Sequence, residues 1–401
     1  MTYLNIFTTD WSIMKRIKNV GVDYVYCGLF NFSLSSAVWI LYLAYRGMSL
    51  GEIGLLEGIF HVTSFFFEVP TGAMADLFGR KNMLLLGRIL AISSSVLMLC
   101  SDQFWMFALS FVLSAASYNL NSGSEEALVY DSMKQVKREE EYLSVNGRLN
   151  FIIEVSQGAS SFVGGVLSDI SFTLTYICQI VNDLLAFFCG TFFEEPLVHE
   201  KQDTISLKKH AQGAYQILRQ QSNVRAILCY YPVVFSFQTL TYFYGQQKFL
   251  DMGLSKTKIA LIMLVSGVIC SVAALTAKPF YRIFREKSGY LAAGIMGFCI
   301  FFFGWEHLGI AVASFFALNF FNALLYPISS NALNEQIPSE QRATILSINS
   351  MFFSVAMIVL FPLSGFLGDV FGLNKIFHGL GVLLFFFALF YGSILYIFRQ
   401  K

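Results

Sequence analysis

Runs of about twenty apolar residues, recurring twelve times between short polar turns, constrain this chain more than any other feature of its sequence. Backbone placed in hydrocarbon finds no water to bond, so a run of that length is stable there as a helix, whose N–H and C=O groups satisfy one another. The runs cover roughly 20–44, 50–75, 82–101, 103–128, 145–168, 171–193, 224–247, 256–280, 289–307, 309–334, 342–368 and 373–398. Only 13% of the residues are charged, where soluble domains carry about 25%, and 56% are hydrophobic. The expected fold class is an all-α polytopic membrane protein with twelve transmembrane helices.

Most of the 27 Lys and Arg fall in the segments that lie on the same side as the N-terminus, beginning with Lys15, Arg16 and Lys18. That positive-inside bias predicts both termini on the cytoplasmic side of a multi-pass protein of the plasma membrane. The near-zero net charge of +1 gives no reason to expect a nucleic-acid partner. The seven cysteines are scattered through apolar runs, which argues for buried thiols and against a disulfide framework or a metal site.

The longest polar stretch, 194–223, contains Leu207-Lys208-Lys209-His210 and reads as a cytoplasmic linker with one amphipathic helix between bundles at 1–193 and 224–401. The halves echo one another. Gly47-Met48-Ser49 through Leu55 resembles Gly253-Leu254-Ser255 through Leu261, and Gly165 to Asp169 resembles Gly365 to Asp369. Duplication predicts two pseudo-symmetric six-helix bundles, the build of rocking secondary transporters.

Ionisable residues inside spans cost at least about 2.5 kcal/mol on insertion scales and invite a functional reading. In span two, Glu57, His61, Ser64, Glu68, Gly72 and Asp76 recur at steps of three and four and share one helical face. Glu57, His61 and Glu68 read either as proton carriers or as a structural polar stripe. Asp23 in span one reads either as a proton site or as an interfacial acid paired with Lys15 or Lys18. Glu154 in span five needs a partner or a proton. Arg88 in span three is the expected partner for Glu154 or Glu68, whereas Arg148 lies close enough to the inner surface to snorkel.

Between spans two and three stands Gly72-Ala-Met-Ala-Asp76-Leu-Phe-Gly79-Arg80-Lys81. It resembles the G-x-x-x-D-x-x-G-R-K signature of the major facilitator superfamily. Phe67-Glu68-Val69-Pro70 and Ser122 to Ser132 further resemble a branch containing bacterial tetracycline-type drug exporters. Span five ends in Ser160-Ser161-Phe-Val-Gly164-Gly165, without the Gly-Pro pair of the antiporter signature, which leaves uptake open. The resemblance implies a gating cluster in which Arg80 and Lys81 meet Glu125, Glu126 and Asp131 at the end of span four. Asp76 would face Arg342 and the start of span eleven. It also implies that spans one, four, seven and ten line a cavity, here offering Asn31, Tyr118, Asn119, Tyr231, Gln238, Tyr242, Asn319, Asn322 and Tyr326. Aromatics and amides on one side and carboxylates on the other suit an amphipathic solute.

No nucleotide-binding, hydrolase or zinc motif occurs, so no enzyme activity and no cofactor are expected, and the energy source is an ion gradient. The expectation is a proton-coupled exporter of a hydrophobic or amphipathic small molecule, working as a monomer in the bilayer. The alternatives are uptake of a small organic nutrient, or a membrane sensor that moves nothing.

Overall fold

The computed structural model describes residues 17–196, 219–337 and 342–399. Within them, the side chains at 69, 70, 72, 73, 76, 139, 143, 286, 342–344, 391 and 393–399 lie outside what is described. Every regular element among the described residues is helical. Besides two single-turn 3-10 helices, Glu139–Glu141 and Arg285–Lys287, the α-helices in chain order are α1 (Lys18–Asn31), α2 (Trp39–Tyr45), α3 (Leu50–Phe78), α4 (Arg80–Cys100), α5 (Phe104–Asn121), α6 (Ser124–Gln135), α7 (Tyr142–Ile170) and α8 (Phe172–Gly190). After the linker follow α9 (Ser222–Asp251), α10 (Lys256–Phe284), α11 (Ser288–Phe303), α12 (Leu308–Asn334), α13 (Arg342–Phe371) and α14 (Leu373–Arg399). Eight are individually long and apolar enough to cross a membrane, and Ser288–Phe303 is a shorter apolar helix. The chain is an all-α polytopic membrane protein.

Two of the twelve expected spans are not continuous helices. The first breaks between Asn31 and Trp39, and the fourth breaks at Ser122-Gly123, where Gly123 takes φ of 62°. Glycine carries no Cβ to oppose that left-handed backbone, so the chain turns there and α6 sets off in a new direction. The break in the first span contains neither glycine nor proline, and its cause is tertiary, as shown below.

The internal echo in the sequence has a backbone counterpart. Gly47 and Gly253 both adopt φ of 86°, and each is followed by a serine that caps the next helix. Ser49 Oγ accepts from Glu52 N at 3.2 Å while Glu52 Oε2 accepts from Ser49 N at 2.9 Å, a reciprocal capping box. Ser255 Oγ accepts from Lys258 N at 3.3 Å.

By proximity the described residues fall into two units, 17–38 with 63–196, and 39–62 with 219–337 and 342–399. The segment 39–62, which lies within the expected bundle 1–193, falls with the second unit. The first unit's core includes Ile17, Val20, Cys27, Val129, Met133 and Val145, beside a second cluster of Tyr26, Leu84, Leu128 and Phe193. The second unit is built on rings: Phe303 lies 5.4 Å from Phe249, 5.8 Å from Phe315 and 4.8 Å from Phe377.

Between two lipid-soluble helices the hydrophobic effect gives no net attraction, so close approach must supply dispersion contacts instead. Where α11 crosses α14, a Cβ on Gly381 would stand 2.4 Å from Phe301 N, and one on Gly297 would stand 2.8 Å from Phe385 N. Backbone cannot yield as a side chain can. Gly381→Val should therefore force the helices apart and lower stability by about 1–3 kcal/mol or more. Thermal unfolding in detergent, followed by tryptophan fluorescence, checks this; an unchanged midpoint would mean that the crossing adjusts.

Candidate functional site

A polar stripe runs down α1. Asn19, Asp23, Cys27 and Asn31 are spaced four apart, which at 3.6 residues per turn keeps them on one face. Asn19 Nδ2 donates to Ser132 Oγ at 2.7 Å and to the Glu194 carbonyl at 2.7 Å. Asn31 Nδ2 donates to the Cys27 carbonyl at 2.9 Å and to Cys27 Sγ at 3.6 Å, and Asn31 Oδ1 accepts from Gln157 Nε2 at 3.1 Å. Asp23 is the exception. It is 1% exposed, and neither of its carboxyl oxygens has a hydrogen-bond partner.

Facing Asp23, close enough for the two charges to interact, is Glu125 on α6. The turn at Gly123 aims Glu125 back at α1. Its environment is the opposite of Asp23's: Asn121 Nδ2 donates to Glu125 Oε2 at 2.6 Å, and the Cys27 thiol donates to the same carboxyl. Asn121 is itself oriented by Tyr26, whose hydroxyl donates to Asn121 Oδ1 at 2.6 Å. Two neighbouring acids thus differ in one respect that matters, the supply of donors. A buried carboxylate with donors can keep its charge, whereas one without them is far cheaper to bury as the neutral acid. The sequence expectation that Asp23 pairs with Lys18 is corrected: Lys18 Nζ sits 2.6 Å from Glu194 instead, and that cation holds the Glu194 carboxyl below the usual carboxylate range. Lys15 lies outside the described residues.

The expected partners of Arg88 are also corrected. Arg88 Nη1 donates to Asp183 Oδ1 on α8 at 3.2 Å and Nη2 to Ser117 Oγ at 3.2 Å, with the guanidinium 4.3 Å over the Phe30 ring. Glu154 is exposed and Glu68 partly buried. Rotation about the helix axis, which depth alone does not reveal, turns Glu154 away. Asp183 has no place in the sequence expectation, although as the one acid in the apolar run 171–193 it carries the signal that could have found it. Its neighbours on α8 explain the break after α1. Asn182 Nδ2 donates to the carbonyls of Leu29 at 2.8 Å and Phe32 at 3.0 Å, and Gln179 Oε1 accepts from Leu34 N at 2.7 Å. Side-chain amides take over the bonds that unwinding frees, the condition for irregular backbone at membrane depth. Gln179 Nε2 then donates to Asp183 Oδ2 at 3.0 Å, joining the break to the ion pair.

In the expected gating cluster, Arg80 forms an ion pair with Asp131 and also donates to the Ala127 carbonyl. Glu126 Oε1 accepts from the Tyr142 hydroxyl at 3.0 Å. Glu125 belongs with Asp23 rather than with Arg80. Gly79, at φ of 87°, makes the turn into α4. The side chains at Gly72, Asp76 and Arg342 lie outside those described, as does any contact of Lys15. Arg148 is partly buried.

The second unit, which includes the first half of α3, holds the Glu57–His61 pair, with Glu57 Oε1 3.5 Å from His61 Nε2. The imidazole lies edge-on to Phe60 at 5.5 Å and Phe353 at 5.6 Å. Of the expected cavity residues in this unit, Gln238 Nε2 donates to Asn319 Oδ1 at 2.8 Å, Tyr242 stacks on Phe315 at 6.0 Å, and Tyr231 and Tyr326 flank Phe235 at 6.3 and 5.9 Å. Tyr326 is exposed and Asn322 partly buried. In the first unit Asn119 Nδ2 donates to Ser64 Oγ at 3.0 Å, Tyr118 is exposed, and Asn31 joins the α1 stripe instead.

Sequence comparison decides the family, matching residues 24–309 and 249–400 to the Major Facilitator Superfamily. The chain belongs to the Major Facilitator Superfamily. Among its relatives, an uncharacterized MFS-type transporter, YxaM of Bacillus subtilis, is 25% identical over 368 residues, covering 87% of this chain and 88% of the relative. The nucleoside transporter NupG, in its D323A mutant, superposes with a TM-score of 0.78 at 12% identity, covering 94% of this chain and 99% of that one. A D-xylose–proton symporter superposes at 0.67 with 15% identity, covering 94% and 97%. These superpositions establish the fold. This Major Facilitator Superfamily chain is a multi-pass membrane transporter, and its first unit carries a buried acid without a donor.

Proposed function

We propose that the protein is a proton-coupled secondary transporter of the plasma membrane, with both termini cytoplasmic, that exports a small amphipathic organic molecule by alternating access. The observation that carries this reading is Asp23, buried with no partner for either oxygen beside the well-bonded Glu125. A proton can drive a conformational cycle only by binding two states unequally. The dry Asp23 favours the protonated acid, and any state that admits water to it favours release. The difference between those two affinities is the available driving force.

The amides and rings of the second unit, Gln238, Asn319, Tyr231 and Tyr326, offer hydrogen bonds and flat apolar faces without a fixed charge, which supports an amphipathic solute. Drug-like aromatic compounds fit that chemistry. Uptake is the second reading, favoured by the absence of the Gly-Pro pair in Ser160 to Gly165 and by the fold-level likeness to a sugar–proton symporter.

Membrane vesicles of both orientations test the reading with a panel of amphipathic fluorescent dyes, labelled nucleosides and labelled sugars. Inverted vesicles with an acidic lumen are expected to accumulate a dye. Accumulation of a nucleoside or sugar by right-side-out vesicles in acidic medium would establish uptake. Movement indifferent to an imposed pH gradient would end the proton reading altogether.

A further inference from the structure

The segment 191–196 leaves α8 and enters the linker, yet it is bonded at nearly every residue. Lys81 Nζ donates to the Thr191 carbonyl at 2.7 Å. Phe193 is buried, its ring 5.3 Å edge-on from Tyr26. Glu194 N donates to Asn19 Oδ1 at 2.9 Å, and its carbonyl accepts from Asn19 Nδ2 at 2.7 Å. Glu195 forks over the first turn of α4, Oε1 accepting from Arg80 N at 2.8 Å and Oε2 from Lys81 N at 2.9 Å. Those amides are orphan donors of the helix N-terminus, and a carboxylate there satisfies two of them and opposes the helix dipole. Gly79 leaves room for the fork: a Cβ would stand 3.2 Å from the Glu195 carboxyl.

The same segment reaches the acid pair by an unbroken set of contacts. Phe193 packs on Tyr26, the Tyr26 hydroxyl donates to Asn121, and Asn121 donates to Glu125. Moving charge between Asp23 and Glu125 changes how firmly Glu125 holds Asn121. That in turn changes the acceptor available to Tyr26, and through its ring the seat of Phe193.

We propose that residues 191–196 form a strap tying the turn between α3 and α4 to the acid pair, with Glu195 the positioning residue that holds the turn. The proposal rests on the reading of Asp23 and Glu125 as the proton site. Glu195 touches neither solute nor proton; it acts through Arg80 and Lys81, whose backbone it fixes while the Arg80 side chain pairs with Asp131. The titratable and charged groups facing the acid pair are Tyr24, Tyr26 and Cys27 on α1, Arg88 on α4, Glu126 on α6, Tyr142 on α7 and Cys189 on α8. Arg88 is already matched by Asp183, so the balance within the pair is set chiefly by its own two carboxyls.

Amide hydrogen exchange on the full chain in lipid nanodiscs tests the strap and needs no substrate. In Glu195→Ala, residues 80–83 are expected to exchange about 10-fold faster, with 90–100 unchanged, whereas Glu194→Ala leaves 80–83 as in the wild type. In the wild type, protection of 80–83 and 191–196, corrected for intrinsic rates, is expected to differ at least about 3-fold between pH 5.5 and 8, and in Asp23→Asn to be independent of pH. A purely structural cap would not respond to Asp23. Unchanged exchange at 80–83 in Glu195→Ala, or no pH response in the wild type, overturns the strap. Should Glu195→Ala fail to fold, Glu195→Gln, which keeps one acceptor, is expected to give an intermediate acceleration at 80–83, and none would overturn it. The two readings fail separately, because the proton site is judged by vesicle transport in Asp23→Asn and the hold on the turn by exchange in Glu195→Ala.

Discussion

Asp183→Ala is expected to destabilise the protein by about 3–5 kcal/mol, the cost of leaving a buried charge without its partner. Arg88 and Asp183 are 3% exposed each, too deeply buried for bulk solvent to replace the lost carboxylate. The damage spreads beyond the pair. Gln179 Nε2 loses its acceptor, and Gln179 Oε1 is what holds Leu34 N where the first span is unwound. Thermal unfolding in detergent measures the loss, and Arg88→Met with Asp183→Leu gives the decisive comparison. Buried ion pairs replaced by apolar residues of similar volume are often neutral or stabilising, so the double variant should recover most of the stability. If Asp183→Ala falls within about 1 kcal/mol of wild type, the value of an ordinary single hydrogen bond, the pair does not hold the unit together.

The helices were legible because hydropathy over twenty residues is a local property, and the sequence repeat was legible because Gly47 and Gly253 face the same steric demand. What escaped was set by partners distant in sequence. The stretch 32–38 carries no breaker of its own; Gln179 and Asn182 unwind it from α8 by offering bonds to backbone that a helix would have satisfied internally. Depth matches Arg88 to Glu154 or Glu68, but depth does not fix which way a helical side chain points, and the run that holds Asp183 reads as apolar. Asp23 could be picked out as an acid within a span. Its pairing with Glu125 could not, because it follows from the reorientation of α6 at Gly123. Glu195 reads as linker in the sequence, since nothing in its context reveals that the N-terminus of α4 lies beneath its carboxylate.

Asp23→Asn is expected to abolish accumulation against a gradient while leaving the protein folded and able to move solute downhill. The amide has the shape of the neutral acid and cannot release a proton, so it fixes the site in one of the two forms whose alternation drives the cycle. A gradient of two pH units supplies about 2.7 kcal/mol per proton, enough for a concentration ratio of about 100 with one-to-one coupling. In Asp23→Asn that ratio should fall to about 1. Glu154→Gln, altering an exposed side chain, should keep it. Glu57→Gln distinguishes the rival site, because Glu57 and His61 form a second buried titratable pair in the other unit. If Glu57→Gln collapses the ratio and Asp23→Asn preserves it, the coupling proton travels on α3, and the donor-poor Asp23 is an acid kept neutral for packing. If both collapse it, the cycle moves protons through two sites, and the ratio in the wild type should then exceed 100 under the same gradient, since two protons per solute would raise the limit towards about 10,000.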